Sequence, residues 1–228
     1  MRRVYINPGH SDKDPGAVGY ETERKLNVAV SKYMNDYLLA NYVCETHLNP
    51  GTMDSLAEIC NDANNWGADL FVSIHFNAGG GDGFECYIYS WSRKELGMVF
   101  AKHVKAAGQN LRYPDNAGEP LGVKARPGLY VLKNTTMPAV LCEGAFVDNH
   151  RDIADWNDNI ELQKLGEAYA KATAEFLGLE EKKQEESTVY LVHYRTQVGP
   201  FKDKKTAENL VKALMAAGCD AEITESKE

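Results

Sequence analysis

The sequence predicts an α/β fold, in which a mixed and mostly parallel sheet carries helices on both faces. Short runs rich in β-branched and aromatic residues, at 4–6 and 70–74, have the length and composition of strands buried on both faces. They alternate with longer segments whose apolar residues recur at helical spacing, such as Leu26, Val30 and Met34. Strands that alternate with helices indicate a sheet covered on both sides.

The same two periodicities predict the individual elements in chain order. The first half is predicted to hold a strand at 4–6, a helix from 21–23 to about 39, a weak strand at 42–48, a helix at 55–66 and a strand at 70–74. The second half is predicted to hold a strand at 84–90, a helix at 93–110, a long loop at 111–128, a short strand at 129–132, a strand at 139–142 and a helix at 160–177. Loops as long as the one at 111–128 are often functional.

The C-terminal part has its own pattern. Beyond a charged segment, residues 188–197 are predicted to form a strand, Asp203 suits the N-cap of a helix, and Gly218 suits its end before a last strand at 220–224. The predicted organisation is therefore a domain over 1–178, a charged linker over 179–187 and a small βαβ piece over 188–228.

Composition narrows the classes of function. The formal net charge of −8 disfavours a nucleic-acid-binding protein, which would carry a basic face. No apolar run is long enough for a transmembrane helix, and Met1-Arg2-Arg3 leads directly into a strand without the apolar core of a signal peptide. We therefore expect a protein made in the cytoplasm that binds no membrane. The five cysteines form no CxxC pair, so they are expected to be reduced thiols.

Three hydrophobic runs are each followed or ended by a side chain that can bind a metal or carry a proton. His10 comes just after the first strand, His75 directly follows the run at 70–74, and Glu143 directly follows the run at 139–142. Ligands of α/β sheets bind at the carboxyl ends of the strands, so these side chains are expected in one crevice. Two histidines and a glutamate there are typical of a zinc hydrolase.

A third zinc ligand is expected to be a carboxylate near the start of the first helix. Glu21 and Glu23 both qualify by position, since either lies beside the loop that holds His10. Either could instead be an ordinary acidic residue that complements the helix dipole. The residues alone leave this choice open.

Glu143 has three possible roles. A carboxylate at the end of an apolar strand needs a partner, because an unpaired buried charge is costly. It could be a metal ligand, a general base, or an ion-pair partner of Lys124 or Arg126. The general-base role is favoured, since a glutamate beside a metal-activated water is a common proton carrier in hydrolases.

Four stretches resemble the zinc-dependent N-acetylmuramoyl-L-alanine amidases of bacteria and their phages, the type 3 amidase family. They are INPGHSDKDPGAVG, ETERKLNVAV, LFVSIHFNA and GLYVLKNTTMPAVLCEGAFVDN. The resemblance covers about residues 1–178. It implies that His10, Glu23 and His75 are zinc ligands and that Glu143 is the catalytic glutamate.

The segment from Tyr194 to Phe201, followed by a helix and Gly218, resembles one half of a sporulation-related (SPOR) repeat. That family binds septal glycan strands, especially strands without stem peptides. Because a single half leaves an apolar face and a strand edge open, we expect that two chains could pair their half-repeats as a homodimer.

The resemblance implies a peptidoglycan hydrolase that cleaves the amide bond between N-acetylmuramic acid and L-alanine with zinc-activated water. Its expected partners are the peptidoglycan stem peptide and glycan. The favoured setting is a phage or prophage endolysin released by a holin, and a mother-cell lytic amidase is second. The alternatives are another zinc peptidoglycan hydrolase, a peptidase or deacetylase, or a noncatalytic wall-binding protein.

Overall fold

The computed structural model describes residues 1–53, 55–183, 188–194 and 196–227. The chain forms two compact units, Met1–Lys182 and Lys183–Glu228. The strands of the first unit are β1 Arg2–Pro8, β2 Cys44–Leu48, β3 Leu70–Asn77, β4 Glu85–Ile88, β5 Val123–Ala125 and β6 Ala139–Phe146. Its helices are α1 Glu23–Asn41, α2 Leu56–Trp66, α3 Lys94–Ala106, α4 Tyr130–Asn134, α5 His150–Ala154 and α6 Asn159–Leu177.

Among the described residues, the strands of the first unit form one sheet of six strands in the order β2-β1-β3-β6-β4-β5. All neighbouring strands are parallel except β6 and β4, which are antiparallel. The carboxyl ends of β1, β3 and β6 therefore meet at one edge, and the amino end of β4 joins them there. The predicted fold class, a mixed and mostly parallel sheet with helices on both faces, is confirmed.

Two apolar clusters hold the helices against opposite faces of the sheet. Alternate residues of β1 show the division, since Val4 and Ile6 pack with α1, α3 and α6, whereas Tyr5 packs with α2 and α4. The same alternation places Asn7, Ser73, His75 and Glu143 on the face of α2 and α4. This alternation decides which side chains can line a common site.

Two local predictions around residue 130 are wrong. The strand β5 lies inside the predicted loop, and the predicted strand at 129–132 is the short helix α4. Val131 and Leu132 are both buried against the α2 side of the core. A run of only four apolar residues is too short to show either a helical or a strand period, so the sequence does not distinguish the two structures here. The helix α5, which Asn149 caps through its side chain, was also not predicted.

The second unit consists of β7 Thr188–Tyr194, β8 Thr196–Phe201, α7 Lys204–Ala216 and β9 Glu222–Lys227. Its described strands form an antiparallel sheet in the order β8-β7-β9. The single strand predicted at 188–197 is thus a hairpin, since continuous alternation does not reveal where a chain reverses. Asp203 caps α7 as predicted, and Gly218 follows the helix with a φ of 79°.

The predicted linker begins inside the first unit. The backbone N–H of Val43 donates to the carbonyl of Glu180 (2.8 Å), and the N–H of Lys182 donates to that of Asn41 (2.7 Å). Residues 184–187 of the predicted linker, and Arg195 of the predicted SPOR segment, lie outside the described residues. No helix in the described part of the chain has the length and apolar character needed to cross a bilayer.

Candidate metal centre and active site

The predicted ligands His10, Glu23 and His75 come together at the carboxyl edge of the sheet. His10 follows β1, Glu23 is the first residue of α1, and His75 lies near the end of β3. One donor atom from each residue lies within 4.8 Å of the others. Residues 65 positions apart in the chain therefore converge because β1 and β3 are parallel neighbours.

Glu23 lies between the two histidines. Its Oε2 is 3.0 Å from His10 Nε2, and its Oε1 is 2.9 Å from His75 Nδ1. The backbone N–H groups of Ala17 and Phe76 also donate to this carboxylate and fix its orientation. Glu21, the other candidate, accepts a hydrogen bond from Lys25. The geometry therefore favours Glu23 over Glu21 as the carboxylate of the cluster.

The loop after β1 closes tightly around the cluster. Among the described residues, His10 is the non-glycine residue with a left-handed backbone, at a φ of 64°. A Cβ on Gly9 would lie 2.2 Å from the His75 ring, and a Cβ on Gly16 would lie 2.5 Å from Glu23 Oε2. The side chain of Asn27 donates to the carbonyl of Gly9 at 3.2 Å. Glycine is required where the loop approaches the two other ligands.

Electrostatics hold the cluster in a charged form when metal is absent. The hydrogen bond with Glu23, and a second one between Nδ1 and Asp14 (2.8 Å), raise the pKa of His10 to about 9. Burial alone would raise the pKa of Glu23, but its hydrogen bonds with His10 and His75 outweigh burial and hold that pKa well below its usual value. In this state a proton links the imidazole and the carboxylate.

The donor set of this cluster fits zinc. Two imidazole nitrogens and one carboxylate oxygen are the ligands of many catalytic zinc sites, which keep a further position for water or substrate. The Nδ1 contact to Asp14 leaves Nε2 of His10 directed at the centre, which is the outer-shell arrangement common to metal-binding histidines. Asp14 was not predicted from the sequence, although its position four residues after His10 within a turn is a local signal.

Glu143 lies beside the cluster, since it is the Cα partner of His75 across β3 and β6. The residue is half-buried, and its Oε2 atom is enclosed without a hydrogen-bond partner among the described residues. Burial, together with the nearby charges of Glu23 and Glu85, holds the pKa of Glu143 well above its usual value. An enclosed carboxyl group with a raised pKa suits proton transfer.

The ion pairs considered for Glu143 are not formed. Lys124 binds Glu85 (2.7 Å) and Asp115 (2.9 Å), and Arg126 also binds Asp115. Glu85 is the direct partner of Glu143 across β4 and β6, and it was not identified in the sequence. No local pattern marks it, because its importance comes from the pairing of two strands that are distant in sequence.

Comparison with known proteins identifies the family. The profile Amidase_3, described as N-acetylmuramoyl-L-alanine amidase, matches residues 4–175. The chain belongs to this family. The prediction that the chain is an N-acetylmuramoyl-L-alanine amidase, an enzyme of peptidoglycan hydrolysis, is thereby confirmed.

Relatives and solved structures agree with this assignment. The amidase is 32% identical over 225 residues to the sporulation-specific N-acetylmuramoyl-L-alanine amidase of Bacillus subtilis (strain 168), with 97% of this chain and 84% of that protein covered. It is 34% identical over 195 residues to the endolysin of Bacillus phage SPP1, with coverage of 78% and 67%. The catalytic domain of CwlV from Bacillus (Paenibacillus) polymyxa var. colistinus superposes with a TM-score of 0.70 at 29% identity, covering 79% of this chain and all of that one.

Proposed function

We propose that this amidase cleaves the amide bond between N-acetylmuramic acid and L-alanine with a zinc ion held by His10, Glu23 and His75, and with Glu143 as the proton carrier. The convergence of two imidazoles and one carboxylate beside an enclosed glutamate is the observation that carries the proposal. Zinc, when bound, supplies Lewis-acid chemistry that makes water more acidic and withdraws electrons from the carbonyl oxygen.

The protein's own residues supply proton transfer and orientation. Glu143 takes a proton from the attacking water through a carboxylate oxygen and gives it to the nitrogen of the departing L-alanine. Burial and the nearby charges of Glu23 and Glu85 raise its pKa, which favours the protonated form that delivers the proton to the leaving nitrogen. Asp14 holds His10 in the tautomer that leaves Nε2 free, while Ala17 and Phe76 orient Glu23 through their N–H groups.

The decisive experiment is mass spectrometry of purified peptidoglycan after digestion, with added zinc and with a chelator. Amidase action releases intact stem peptides with a free L-alanine amine. Shortened stem peptides would indicate a peptidase, and loss of acetyl groups would indicate a deacetylase. The absence of any product in the presence of zinc would favour a noncatalytic wall-binding protein.

For the biological setting, we propose a phage or prophage endolysin that reaches the wall after release by a holin. The similarity to the endolysin of phage SPP1 supports this setting. A mother-cell lytic amidase is the second candidate, and a specific observation favours it. The match to the sporulation-specific amidase extends over 97% of the chain, so it includes the C-terminal unit.

For the C-terminal unit, we propose a SPOR-like half-repeat, residues 188–228, that binds glycan and pairs with a second copy. In the described sheet β8 and β9 are the outer strands, and Ala207 is the residue of α7 whose side chain is buried. Within the described residues of this unit, β8 and β9 each pair with β7 alone, and strand edges of this kind are a common route to association. Light scattering that shows a monomer at high micromolar concentration would contradict the pairing.

A further inference from the structure

Two recesses of the first unit lie on opposite sides of Glu143. In the strand order, β1 and β3 lie on one side of β6, and β4 and β5 lie on the other. A cavity on the β3 side is lined by His10 and His75, and a groove on the β4–β5 side is lined by Arg112 and Lys124. The two recesses therefore flank the strand that carries the proton carrier.

The cavity on the β3 side has a volume of about 630 Å³, within the range of small-molecule sites. Its walls are mainly apolar and come from α2 and α4, for example Leu56, Ile59 and Tyr130. Two residues of opposite formal charge, Lys13 and Asp14, also line it. Asn7 and Ser73, which are hydrogen-bonded to each other at 3.0 Å, add uncharged polar atoms. Tyr130 is 43% exposed and contributes an aromatic side chain to the lining. These surfaces suit an uncharged sugar with an N-acetyl group.

The groove on the other side has a volume of about 920 Å³ and a different chemistry. Two contacts hold Arg112 in place. Its guanidinium carbon lies 4.8 Å from the centre of the Phe146 ring, and its Nε lies 3.4 Å from a carboxylate oxygen of Glu85. Within the described residues, its two terminal nitrogens make no hydrogen bond or ion pair. A guanidinium that is fixed in place with a free pair of N–H donors matches a carboxylate.

Lys124 does not compete for this role. Its ammonium group is already bound by Glu85 and Asp115, and its side chain is only 7% exposed. Arg126 is bound by Asp115 in the same way. Lys105 also lines the groove, but Arg112 is the cation whose position there is fixed by contacts with Phe146 and Glu85.

We propose that the substrate binds across the carboxyl edge of the sheet in one orientation. The muramic acid residue lies in the cavity beside Tyr130, and the first acidic residue of the stem peptide lies at Arg112. This assignment rests on the proposed function. The scissile amide joins an uncharged N-acetyl sugar to a peptide in which D-glutamate follows L-alanine. The uncharged sugar thus matches the mainly apolar cavity, and the carboxylate of the peptide matches the groove that holds Arg112. The scissile amide between the two halves then lies at Glu143.

The test uses three soluble substrates. The first is N-acetylmuramoyl-L-alanyl-γ-D-glutamyl-L-lysine with an amidated C-terminus, so that the free α-carboxyl group belongs to D-glutamate. The second differs only in the amidation of that α-carboxyl group. The third keeps the carboxylate and replaces the muramic acid by D-lactate, which removes the sugar ring. The ratios of kcat/KM measure the carboxylate preference and the sugar preference of the same enzyme.

We expect Arg112→Gln to reduce the carboxylate preference by at least about tenfold, since hydrogen bonds to charged groups contribute about 1.5–3 kcal/mol. The sugar preference of that variant should not change. Tyr130→Ala should reduce the sugar preference and keep the carboxylate preference. Arg93→Gln and Tyr89→Ala are matched controls, because both residues lie beyond the opposite end of β4 and Tyr89 is 42% exposed, like Tyr130. Both controls should keep both preferences.

Three outcomes would overturn the assignment. In the first, Arg112→Gln reduces the sugar preference and Tyr130→Ala reduces the carboxylate preference. In the second, either variant loses both preferences equally. In the third, the wild-type enzyme shows neither preference. Zinc content and thermal unfolding of each variant identify a folding defect, and Arg112→Lys, which keeps the charge, should then recover part of the carboxylate preference. If wild-type enzyme with zinc releases no L-alanyl peptide from any substrate or from intact peptidoglycan, the proposed function itself fails.

Discussion

Glu143 and Glu85 are direct partners across the antiparallel strands β6 and β4, on the face of the sheet that carries His75 of the candidate metal centre. Lys124, only 7% exposed, lies 2.7 Å from Glu85 and compensates its charge, while no cation among the described residues pairs with Glu143. Asn77 and the Tyr87 hydroxyl also donate to Glu85. One carboxylate of the pair thus has a cation and two hydrogen-bond donors, whereas the Oε2 atom of the other is enclosed without a hydrogen-bond partner among the described residues.

Glu143→Gln should abolish proton transfer and keep the metal site. The side chain retains its size, and the residue is not among the three converging ligands. We expect zinc content to be unchanged and kcat to fall at least about 100-fold, the lower range for the loss of a general base. Activity on peptidoglycan and bound zinc are measured on the same preparation, with Glu95→Gln as a surface control. Normal turnover in Glu143→Gln would remove Glu143 from its proposed role.

Glu23→Gln and Glu21→Gln separate the two carboxylates that the sequence left open. The first variant should lose stoichiometric zinc, because it removes the charged oxygen between His10 and His75. The second should keep zinc, since Glu21 binds Lys25 at the surface. Metal analysis after gel filtration distinguishes them, and His75→Ala serves as a positive control for metal loss. Zinc retained in Glu23→Gln but lost in Glu21→Gln would reverse the assignment.

Zinc binding should release a proton from His10. The pKa of His10 is raised to about 9 by Glu23 and Asp14, whereas the unfolded chain has a pKa of about 6.5. The proton therefore stabilises the metal-free fold fully below pH of about 6.5, and this contribution is lost as pH rises to about 9. Because zinc needs the neutral imidazole, its apparent affinity should increase with pH over the same window.

Calorimetry in buffers of different ionisation enthalpy measures this proton release directly. Asp14→Asn removes one of the two groups that raise the pKa of His10, so the pH at which zinc affinity reaches its plateau should be lower in that variant. Equal zinc affinity at pH 6.5 and pH 8.5 in the wild-type protein would show that His10 carries no proton to displace.

Lys124→Met should destabilise the first unit strongly, because it leaves the buried charge of Glu85 without its closest cation. Removal of one partner of a buried ion pair costs about 3–5 kcal/mol, which urea unfolding detects as a lower midpoint. The double variant Glu85→Gln/Lys124→Met should recover part of this loss. Lys102→Met, which breaks an exposed pair with Glu175, is the control and should leave the midpoint nearly unchanged. Equal effects of the two single variants would contradict the prediction.

Local patterns predicted much of the first unit and of the candidate site. The helices α1, α2 and α6 and the strands β1, β3 and β6 lie close to the predicted positions, since each has a clear period of its own. The errors occur where a run is too short to show a period. The apolar residues of α4 and the hairpin of β7 and β8 are examples.

The sequence by itself determined the α/β class and the family. It also predicted four site residues, His10, Glu23, His75 and Glu143, with Glu23 chosen over Glu21 through the family resemblance. Composition, periodicity and motifs are properties of residues that are close in sequence, so they can be recognised without the three-dimensional structure. Only the tertiary structure decided that Glu85 and not Glu143 binds Lys124, and that Asp14 contacts His10. It also decided that the terminal nitrogens of Arg112 have no partner among the described residues. These relations depend on which strands and loops become neighbours, and that depends on the packing of the entire sheet.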